Sequence, residues 1–497
     1  MKGRRYILSL DQGTTSTRTI IFDDLAQPVA SSQVEFAQSY PQIGWVEHDP
    51  EEIWACARHT IREALETAGL KGGDIAGIGI ANQRETVVVW DRASGQTVYP
   101  AIVWQDRRTS ARCAELKAAG YEPLVQKKTG LLLDPYFSAS KIAWILDHVP
   151  DARDRALRGE LAFGTIDCFL LWRLTGGKVH ATDATNASRT MLFDIHRQQW
   201  DDELLTLFDI PAALLPEVRD NSGLFGVATA DIAGEEVPIC GMAGDQQAAL
   251  IGQACFRPGM VKATYGTGCF MLLNTGAKPV ASQARLLTTT AYRLNGEPCY
   301  AIEGSIFIAG AAIKWLRDKL GLIVHASDTS SMATQVEDRH GVYVVPAFVG
   351  LGAPHWNPDA KGLIHGLTLD ASAAHIARAA LESVGYQTLD LAEAMVKDGA
   401  EPLRSLRVDG GMSANDWLCQ FLADVLDTPV ERPENVETTA LGAAFLAGMA
   451  CGIWRDLEDV SATWRRAAHF VPAMDPIHRA EIITGWRAAV RLALSAT

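Results

Sequence analysis

The 497-residue sequence lacks the features of a membrane, secreted or zinc-ribbon protein. No apolar run reaches the roughly eighteen residues that a membrane-spanning helix needs, and the basic residues 1–5 precede only a short apolar stretch before Asp11. The nine cysteines are scattered and form no C-x-x-C pair, which argues against zinc sites and disulfide frameworks. These absences predict a cytoplasmic protein with free thiols and no membrane insertion.

Two further absences concern nucleotides and nucleic acids. No GxxxxGK(S/T) motif occurs, so a P-loop is excluded. The formal net charge of -14 argues against nucleic acid as a partner, and any phosphate site must therefore be a local positive feature. With 48% hydrophobic and 21% charged residues the composition is that of a globular protein. The length predicts about two to four domains.

A hairpin-like segment near the N-terminus, residues 10–18 (LDQGTTSTR), is the most informative motif that is present. It follows the strand-like residues 6–8 and precedes a second strand-like stretch, residues 19–22. Hydroxyls, backbone N–H groups and Arg18 on one turn favour a phosphate site, and the Asp11 carboxylate beside it suits a hydrated Mg²⁺ ion. The alternative is a polar β-turn without a ligand.

A second segment with the same plan lies about half a chain away. Residues 261–276 form a predicted strand, turn and strand, with Gly266-Thr267-Gly268 at the turn. Two such hairpins predict two related domains whose turns face each other across a cleft. The Gly- and Pro-containing residues 252–260 place the boundary near residue 253, which gives domains 1–253 and 254–497. Alternating strand-like and helix-like segments predict α/β architecture throughout.

Two glycine-containing segments invite comparison with nucleotide-binding motifs. The segment GIGIAN (77–82) lacks the third glycine of a dinucleotide fingerprint, so it predicts a buried strand. In DGGMSAND (409–416) a predicted strand ends in a double glycine and enters a helix, which favours the approach of polar or anionic ligand groups. The alternative there is a plain strand-to-helix turn with a capping box of Ser413 and Asp416.

Two clusters of charged and amide residues follow predicted strands. Asp245 and Gln246 follow the apolar residues 239–243, where Asp245 could accept a hydroxyl proton and Gln246 could orient the same substrate. Arg84 and Glu85 follow the predicted strand 75–81 and suit a ligand with adjacent hydroxyls. A helix N-cap at Asp245 and an exposed Arg84–Glu85 ion pair are the alternatives.

Helix signals occur in both halves of the chain. Asp49-Pro50-Glu51-Glu52 begins a helix with an N-cap aspartate, and Glu47 and His48 before it are expected to be loop and cap residues. Apolar residues at helical spacing within 376–395 and 417–425 predict two core helices that bind no ligand.

Several longer motifs are distributed over nearly the whole chain. In the first half they are LDQGTTSTR (10–18), GWVEHDPEEIW (44–54), NQRET (82–86), WQDRR (104–108), GTIDCFLLWRLTGG (164–177) and TNASRTMLFDI (185–195). Later in the chain they are GDQQAAL (244–250), YGTG (265–268), GLGAPHWNPDAKG (350–362) and DGGMSAN (409–415). Together these motifs resemble the FGGY carbohydrate kinase family, in particular its glycerol-phosphorylating members. The resemblance implies an α/β fold of two ribonuclease-H-like domains, as in actin and hexokinase, around a central cleft.

The same resemblance implies roles for individual residues in the phosphorylation of glycerol by ATP. Asp245 would be the general base, Asp11 would hold Mg²⁺, and Arg18 would neutralise phosphate charge in catalysis. The implied glycerol ligands are Arg84, Glu85, Tyr136, Asp245 and Gln246, with Trp104 and Phe270 along the carbon backbone. The implied nucleotide ligands are Thr14, Thr15, Ser16, Arg18, Thr267, Gly310, Lys314, Gly411 and Asn415.

The sequence departs from the family pattern in regions tied to regulation and nucleotide binding. Some bacterial members bind fructose 1,6-bisphosphate through a glycine-rich loop with an arginine, whereas the matching residues 231–236 are acidic here and predict insensitivity. Residues 225–240 contain no histidine that phosphorylation could activate. Lys314 stands where many relatives have an amide.

The resemblance also bears on partners and on competing functions. It implies a homo-oligomer, either a dimer or a tetramer, that binds glycerol and ATP. A sister kinase acting on a tetritol, a pentulose or dihydroxyacetone is one alternative. An actin-like or chaperone-like nucleotide-driven binding protein is another, but it would leave Arg84, Glu85, Asp245 and Gln246 without a purpose.

Overall fold

The computed structural model describes residues 6–336 and 341–495 of the chain. Within these ranges no helix is both long enough and apolar enough to cross a membrane. All nine cysteines lie in the described ranges as free thiols, and every one except Cys451 is buried. The prediction of free, mostly buried thiols is therefore confirmed.

The first half of the chain contains one large sheet and several short strand pairs. Its strands are β1 Tyr6–Gln12, β2 Ser16–Phe22, β3 Pro28–Glu35, β4 Glu47–His48, β5 Ile75–Asn82, β6 Val88–Asp91, β7 Ala101–Ile102, β8 Leu161–Gly164, β9 Ala181–Asp183, β10 Phe193–Asp194, β11 Gln199–Trp200, β12 Glu217–Arg219, β13 Ser222–Ala228 and β14 Val237–Gly244. Its helices are α1 Pro50–Ala68, α2 Ser110–Ala118, α3 Glu122–Thr129, α4 Ser138–His148, α5 Ala152–Leu157, α6 Ile166–Leu174, α7 Ala184–Ala187, α8 Asp202–Phe208, α9 Ala230–Ala233 and α10 Asp245–Gly252. Short 3₁₀ turns occupy Gly72–Asp74 and Ala212–Leu214.

The second half repeats this plan. Its strands are β15 Met260–Tyr265, β16 Cys269–Gly276, β17 Leu287–Leu294, β18 Glu297–Ile306, β19 Tyr343–Val345, β20 Leu363–His365, β21 Ser405–Asp409, β22 Val430–Pro433 and β23 Arg466–Phe470. Its helices are α11 Gly310–Asp318, α12 Asp328–Gln335, α13 Ala373–Lys397, α14 Asp416–Leu426, α15 Thr438–Ala450, α16 Leu457–Thr463 and α17 Pro476–Ser495, with a 3₁₀ turn at Gly411–Ala414.

The two large sheets share one topology. The first has the order β13-β14-β5-β1-β2-β3, and the second has the order β17-β18-β16-β15-β21-β22-β23. In each sheet an antiparallel hairpin, β1–β2 or β15–β16, is followed by two parallel strands, β5 and β14 or β21 and β22. This repetition confirms the predicted α/β fold of two ribonuclease-H-like domains.

Both predicted hairpins are present. The first turn is closed by a hydrogen bond from the N–H of Gly13 to the carbonyl of Ser16 at 2.9 Å. The second is closed by the N–H of Gly266 and the carbonyl of Gly268 at 2.8 Å. The buried strand expected at residues 77–82 is also confirmed, because β5 lies between β1 and β14.

Helices α10 and α15 cross at a junction between the two halves. A Cβ atom at Gly442 would collide with the carbonyl of Ala248, and one at Gly252 would collide with the carbonyl of Thr438. Helix α15 belongs to the second half of the chain but also lies on the first sheet, where Gly79 leaves room for the backbone of Ala443. Because glycines at these points let the backbones approach closely, the packing of α15 fixes the position of α10 and of its first residue, Asp245.

The prediction for the helices is correct in its main part. Asp49 caps α1 by accepting the N–H of Glu51 at 2.9 Å, and α13 and α14 carry buried apolar faces. The expectation that Glu47 and His48 are loop residues is wrong, since both are buried in β4, which pairs with β7. Glu47 can be buried because Nη2 of Arg108 donates to its Oε1 at 2.7 Å and so balances its charge.

Candidate active site

Three parallel strands of the first sheet end at one edge, and the residues at their ends form the floor of the candidate site. Gln12 at the end of β1 and Gly244 at the end of β14 are both paired with Asn82 at the end of β5. Asp245 follows as the first residue of α10. The register therefore brings Asp11, Arg84 and Asp245 to one place, although the sequence separates them widely.

Asp11 is partly buried beside two other carboxylates. Burial and the charges of Asp245 and Glu437 outweigh the attraction of Arg18 and raise the pKa of Asp11 to about 7. A divalent cation would relieve this repulsion, and carboxylate oxygen is a ligand type that Mg²⁺ prefers. Among the described residues no three His, Cys, Asp or Glu side chains cluster as a metal site. Asp11 thus suits an ion that takes most of its ligands from water and phosphate.

Arg18 lies opposite Asp11 in the first hairpin and reaches towards the second half of the chain. Its Nη1 contacts Oε2 of Glu437, directly before α15. Its Nε and Nη2 donate to Oε1 of Gln33 at 3.0 and 2.5 Å. A phosphate that binds Arg18 would compete with Glu437 for the same guanidinium.

Asp245 and Gln246 form a unit at the start of α10. Oδ1 of Asp245 accepts the backbone N–H of Gln246 at 2.7 Å and lies 3.3 Å from Nε of Arg84. The Asp245 side chain is 30% exposed, so part of its carboxylate is open to a ligand. Lys262 donates to Oε1 of Gln246 at 2.5 Å, and burial lowers the pKa of this lysine. Because Lys262 occupies the carbonyl oxygen, Gln246 presents its N–H groups beside Asp245.

Arg84 and Glu85 are buried, at 3% and 1% exposure, which excludes an exposed ion pair. Arg84 donates to the carboxylate of Glu303 on β18 at 2.5 and 3.2 Å, and its Nη2 reaches Oη of Tyr136 at 3.4 Å. Arg189 donates to Glu85 at 2.6 Å and to Glu303 at 2.9 Å. Burial alone would raise the pKa of Glu303, but the guanidinium groups of Arg189 and Arg84 outweigh it and lower that pKa to about 2. Two arginines and two glutamates thus form a charge-neutral cluster.

An aromatic wall borders the carboxylates. The rings of Trp104 and Tyr136 meet edge to face, with centroids 5.6 Å apart. Nε1 of Trp104 donates to Oγ1 of Thr14 at 2.9 Å, which ties this wall to the first hairpin turn. Burial raises the pKa of Tyr136, so its hydroxyl is neutral and can donate. Phe270 is partly buried on β16, opposite Thr264.

The second hairpin turn is joined to the start of α11. The N–H groups of Ala309 and Ala311 donate to the carbonyl of Thr267, each at 3.0 Å. A Cβ atom at Gly310 would lie 2.5 Å from the carbonyl oxygen of Gly266, so this contact requires a glycine. Lys314 lies one turn further along α11 and is exposed. Thr15 and Ser16, in the first hairpin turn, are exposed and partly exposed.

The double glycine turn precedes α14. Gly410 adopts a left-handed φ of 82°, and Gly411 is exposed with open space where a Cβ would lie. Asn415 caps α14 by accepting the N–H of Leu418 at 3.1 Å, and its amide donates to Thr329 at 3.4 Å. A capping box led by Ser413 is wrong, because the 3₁₀ turn at Gly411–Ala414 moves the helix start to Asp416.

Four charged residues of the site were not predicted from the sequence, namely Arg189, Lys262, Glu303 and Glu437. Arg189 and Glu437 do not follow a predicted strand, as the charged clusters at residues 84–85 and 245–246 do. Lys262 is the one charged residue of β15, Glu303 is the one charged residue among the largely apolar residues 298–306 of β18, and both are buried. A single charge inside an apolar strand is a usable signal, because such a charge needs a buried partner of opposite sign.

Comparison with known protein families identifies the class of this protein. The N-terminal domain of the FGGY family of carbohydrate kinases matches residues 6–252, and the C-terminal domain of that family matches residues 261–451. These matches span most of the sequence. The chain belongs to the FGGY family of carbohydrate kinases.

Individual relatives are similar over the full length. The glycerol kinase of Gluconobacter oxydans is 63% identical, with 100% of this chain and 96% of the relative covered. Glycerol kinase 1 of Pseudomonas aeruginosa is 60% identical, with 98% of each chain covered. A solved structure of the Plasmodium falciparum glycerol kinase with ADP has a TM-score of 0.94 at 39% identity and covers 98% of each chain.

Proposed function

We propose that the protein transfers the γ-phosphoryl group of ATP to glycerol and forms sn-glycerol 3-phosphate in glycerol catabolism. The observation that carries this proposal is the partly exposed Asp245 carboxylate beside Arg84 and Gln246. The site provides a proton acceptor together with hydroxyl-binding partners. The 63% identical glycerol kinase of Gluconobacter oxydans supports the choice of substrate.

In the proposed reaction Asp245 accepts the proton of the attacking hydroxyl as the new O–P bond forms. The bond between the γ-phosphorus and the bridging oxygen breaks, and ADP leaves. The transition state of such a transfer is loose, so alignment and charge neutralisation matter more than a strong base. Arg84, Glu85 and Tyr136 would hold the hydroxyls, while Trp104 and Phe270 would face the carbon backbone.

The nucleotide is proposed to lie between the two hairpin turns. The phosphate partners would be Thr14, Thr15, Ser16, Arg18 and Thr267. The rest of the nucleotide would lie along Gly310, Lys314, Gly411 and Asn415. Mg²⁺ at Asp11 would supply charge neutralisation for the transferring group. Closure of the cleft would exclude water that competes for the phosphoryl group.

The remaining assignments follow from the same proposal. We propose a domain boundary near residue 253, with a polyol-binding domain 1–253 and a nucleotide-binding domain 254–497. The nine free thiols support a reducing cytoplasmic compartment. A dimer or tetramer, and insensitivity to fructose 1,6-bisphosphate through residues 231–236, stay predictions.

Substrate choice tests the proposal in a coupled ADP-release assay with glycerol, dihydroxyacetone, erythritol and xylulose. Trp104, Tyr136 and Phe270 are proposed to leave little room beyond a three-carbon polyol, so we expect kcat/KM for glycerol to exceed that for xylulose by about 100-fold or more. Samples without a polyol give the background ATP hydrolysis. Preference for erythritol or xylulose would indicate a sister kinase, and ATP turnover that ignores the polyol would indicate a nucleotide-driven binding protein.

The pKa of Asp11 predicts a pH-dependent metal effect. Since this pKa is about 7, the carboxylate is protonated below that pH and charged above it. We expect Mg²⁺ to strengthen ADP binding about tenfold less at roughly pH 6 than at roughly pH 8, as measured by calorimetry. In Asp11→Asn this pH dependence should vanish, whereas Asp24→Asn, at an exposed position in the turn between β2 and β3, should keep it. An Asp11→Asn variant with the wild-type pH dependence would show that another group holds the metal.

A further inference from the structure

We propose that Glu303 is a positioning residue for the polyol site, which it completes from the second domain by orienting Arg84 and Arg189. This inference rests on the proposed function of Arg84 and Asp245. Glu303 belongs to β18, in the second half of the chain, whereas Arg84 and Arg189 come from the first half. The acceptor site is thus built by both domains.

The geometry around Glu303 leaves its carboxylate fully engaged. Oε2 accepts from Nη1 of Arg84 at 2.5 Å, and Oε1 accepts from Nη2 of Arg84 at 3.2 Å and Nη2 of Arg189 at 2.9 Å. All three side chains are at most 2% exposed. Charge-assisted hydrogen bonds of this kind fix the plane of a guanidinium group. Glu303 therefore determines where the remaining N–H groups of Arg84 point.

Arg84, held in place by Glu303, contacts both the proposed base and the aromatic wall. Its Nε lies 3.3 Å from Oδ1 of Asp245, and its Nη2 lies 3.4 Å from Oη of Tyr136. On the other side, Arg189 donates from Nε to Oε1 of Glu85 at 2.6 Å. Glu85 has a left-handed φ of 63°, so its position depends on this support. The second oxygen of Glu85 can then accept a substrate hydroxyl.

The charges around Asp245 explain why a carboxylate is needed at position 303. The titratable and charged groups that interact with Asp245 or Glu303 are Asp11, Arg84, Glu85, Tyr136, Arg189 and Lys262. Glu303 and Asp245 both face the guanidinium of Arg84, so they share its positive charge. Without Glu303, that charge would act on Asp245 and Glu85 alone. The position of Arg84 between Asp245 and Tyr136 would then no longer be fixed.

The test is the nearly isosteric substitution Glu303→Gln in the full-length enzyme. We expect kcat/KM for glycerol to fall about 10- to 100-fold, mainly through a higher KM, because Arg84 and Glu85 would no longer be held in place to bind the hydroxyls. ADP affinity should stay within about twofold of the wild type. The matched control is Glu431→Gln, because Glu431 also lies between two arginines, Arg407 and Arg466, but in the outer part of the second sheet. This control should keep the wild-type kcat/KM and the wild-type KM for glycerol.

A second variant covers the case in which Glu303→Gln does not fold. Glu303→Asp keeps the charge but shortens the side chain, so we expect a reduced kcat/KM for glycerol with an unchanged ADP affinity. A folded Glu303→Gln with wild-type kinetics, or Glu303→Asp with wild-type kcat/KM, overturns the inference. Equal losses in glycerol turnover and ADP affinity overturn it as well, because they indicate a structural role. If the wild-type enzyme itself ignores glycerol, the proposed function fails instead.

Discussion

Asp245→Asn is expected to lower kcat for glycerol phosphorylation by about 10²- to 10⁴-fold while ADP still binds. The amide keeps the shape of the side chain and its place at the start of α10, but it cannot accept the proton of the attacking hydroxyl. Steady-state kinetics and calorimetric titration with ADP measure the two effects separately.

A matched control for this substitution is Asp202→Asn. Asp202 is also the first residue of a helix, α8, but it is exposed and outside the site. It should keep wild-type turnover and ADP affinity. Near-normal turnover of Asp245→Asn would remove Asp245 from its role as the base, and loss of ADP binding would show that the substitution disturbs the whole cleft.

Gly442→Ala is expected to have the largest effect on stability. A Cβ at this position would collide with the carbonyl of Ala248, and neither backbone can shift easily because α10 and α15 are packed helix on helix. Overpacking of this kind costs about 1 to 3 kcal/mol of the free energy of unfolding, and a collision with backbone atoms is expected near the upper end of this range. Thermal and urea unfolding measure this loss of stability. Assays of glycerol phosphorylation can be made alongside on the protein that remains folded.

The stability control is Gly411→Ala, since its added methyl group meets open space. We expect its unfolding free energy to stay within about 0.5 kcal/mol of the wild type. If Gly442→Ala were as stable as Gly411→Ala, the crossing of α10 and α15 would not hold the two halves of the molecule in the way described above.

Much of the fold could be predicted because its signals are local. Each hairpin turn is marked by glycine and hydroxyl residues between two apolar stretches, and the turns at Gly13 and Gly266 form as expected. The glycine-rich strand 77–82 is buried because helix α15 approaches it closely at Gly79, which requires a residue without a side chain. Short-range patterns of this kind can be recognised in a single sequence.

The rest could not be predicted because it depends on contacts between distant parts of the chain. Glu303 meets Arg84 only after the two domains are assembled, and Glu437 meets Arg18 in the same way. Glu47 resembles a loop residue by its neighbours but is buried by Arg108. Whether a charged side chain of this kind is buried depends on a partner of opposite charge. The sequence alone does not show which residue that partner is.

The most direct test of the proposed function is ³¹P nuclear magnetic resonance of the wild-type protein with glycerol, ATP and Mg²⁺. We predict one new phosphomonoester signal, that of glycerol 3-phosphate, which grows in step with ADP and disappears when glycerol is omitted. Release of inorganic phosphate in place of the ester, at a rate independent of glycerol, would contradict the assignment of the cleft as a glycerol-phosphorylating site.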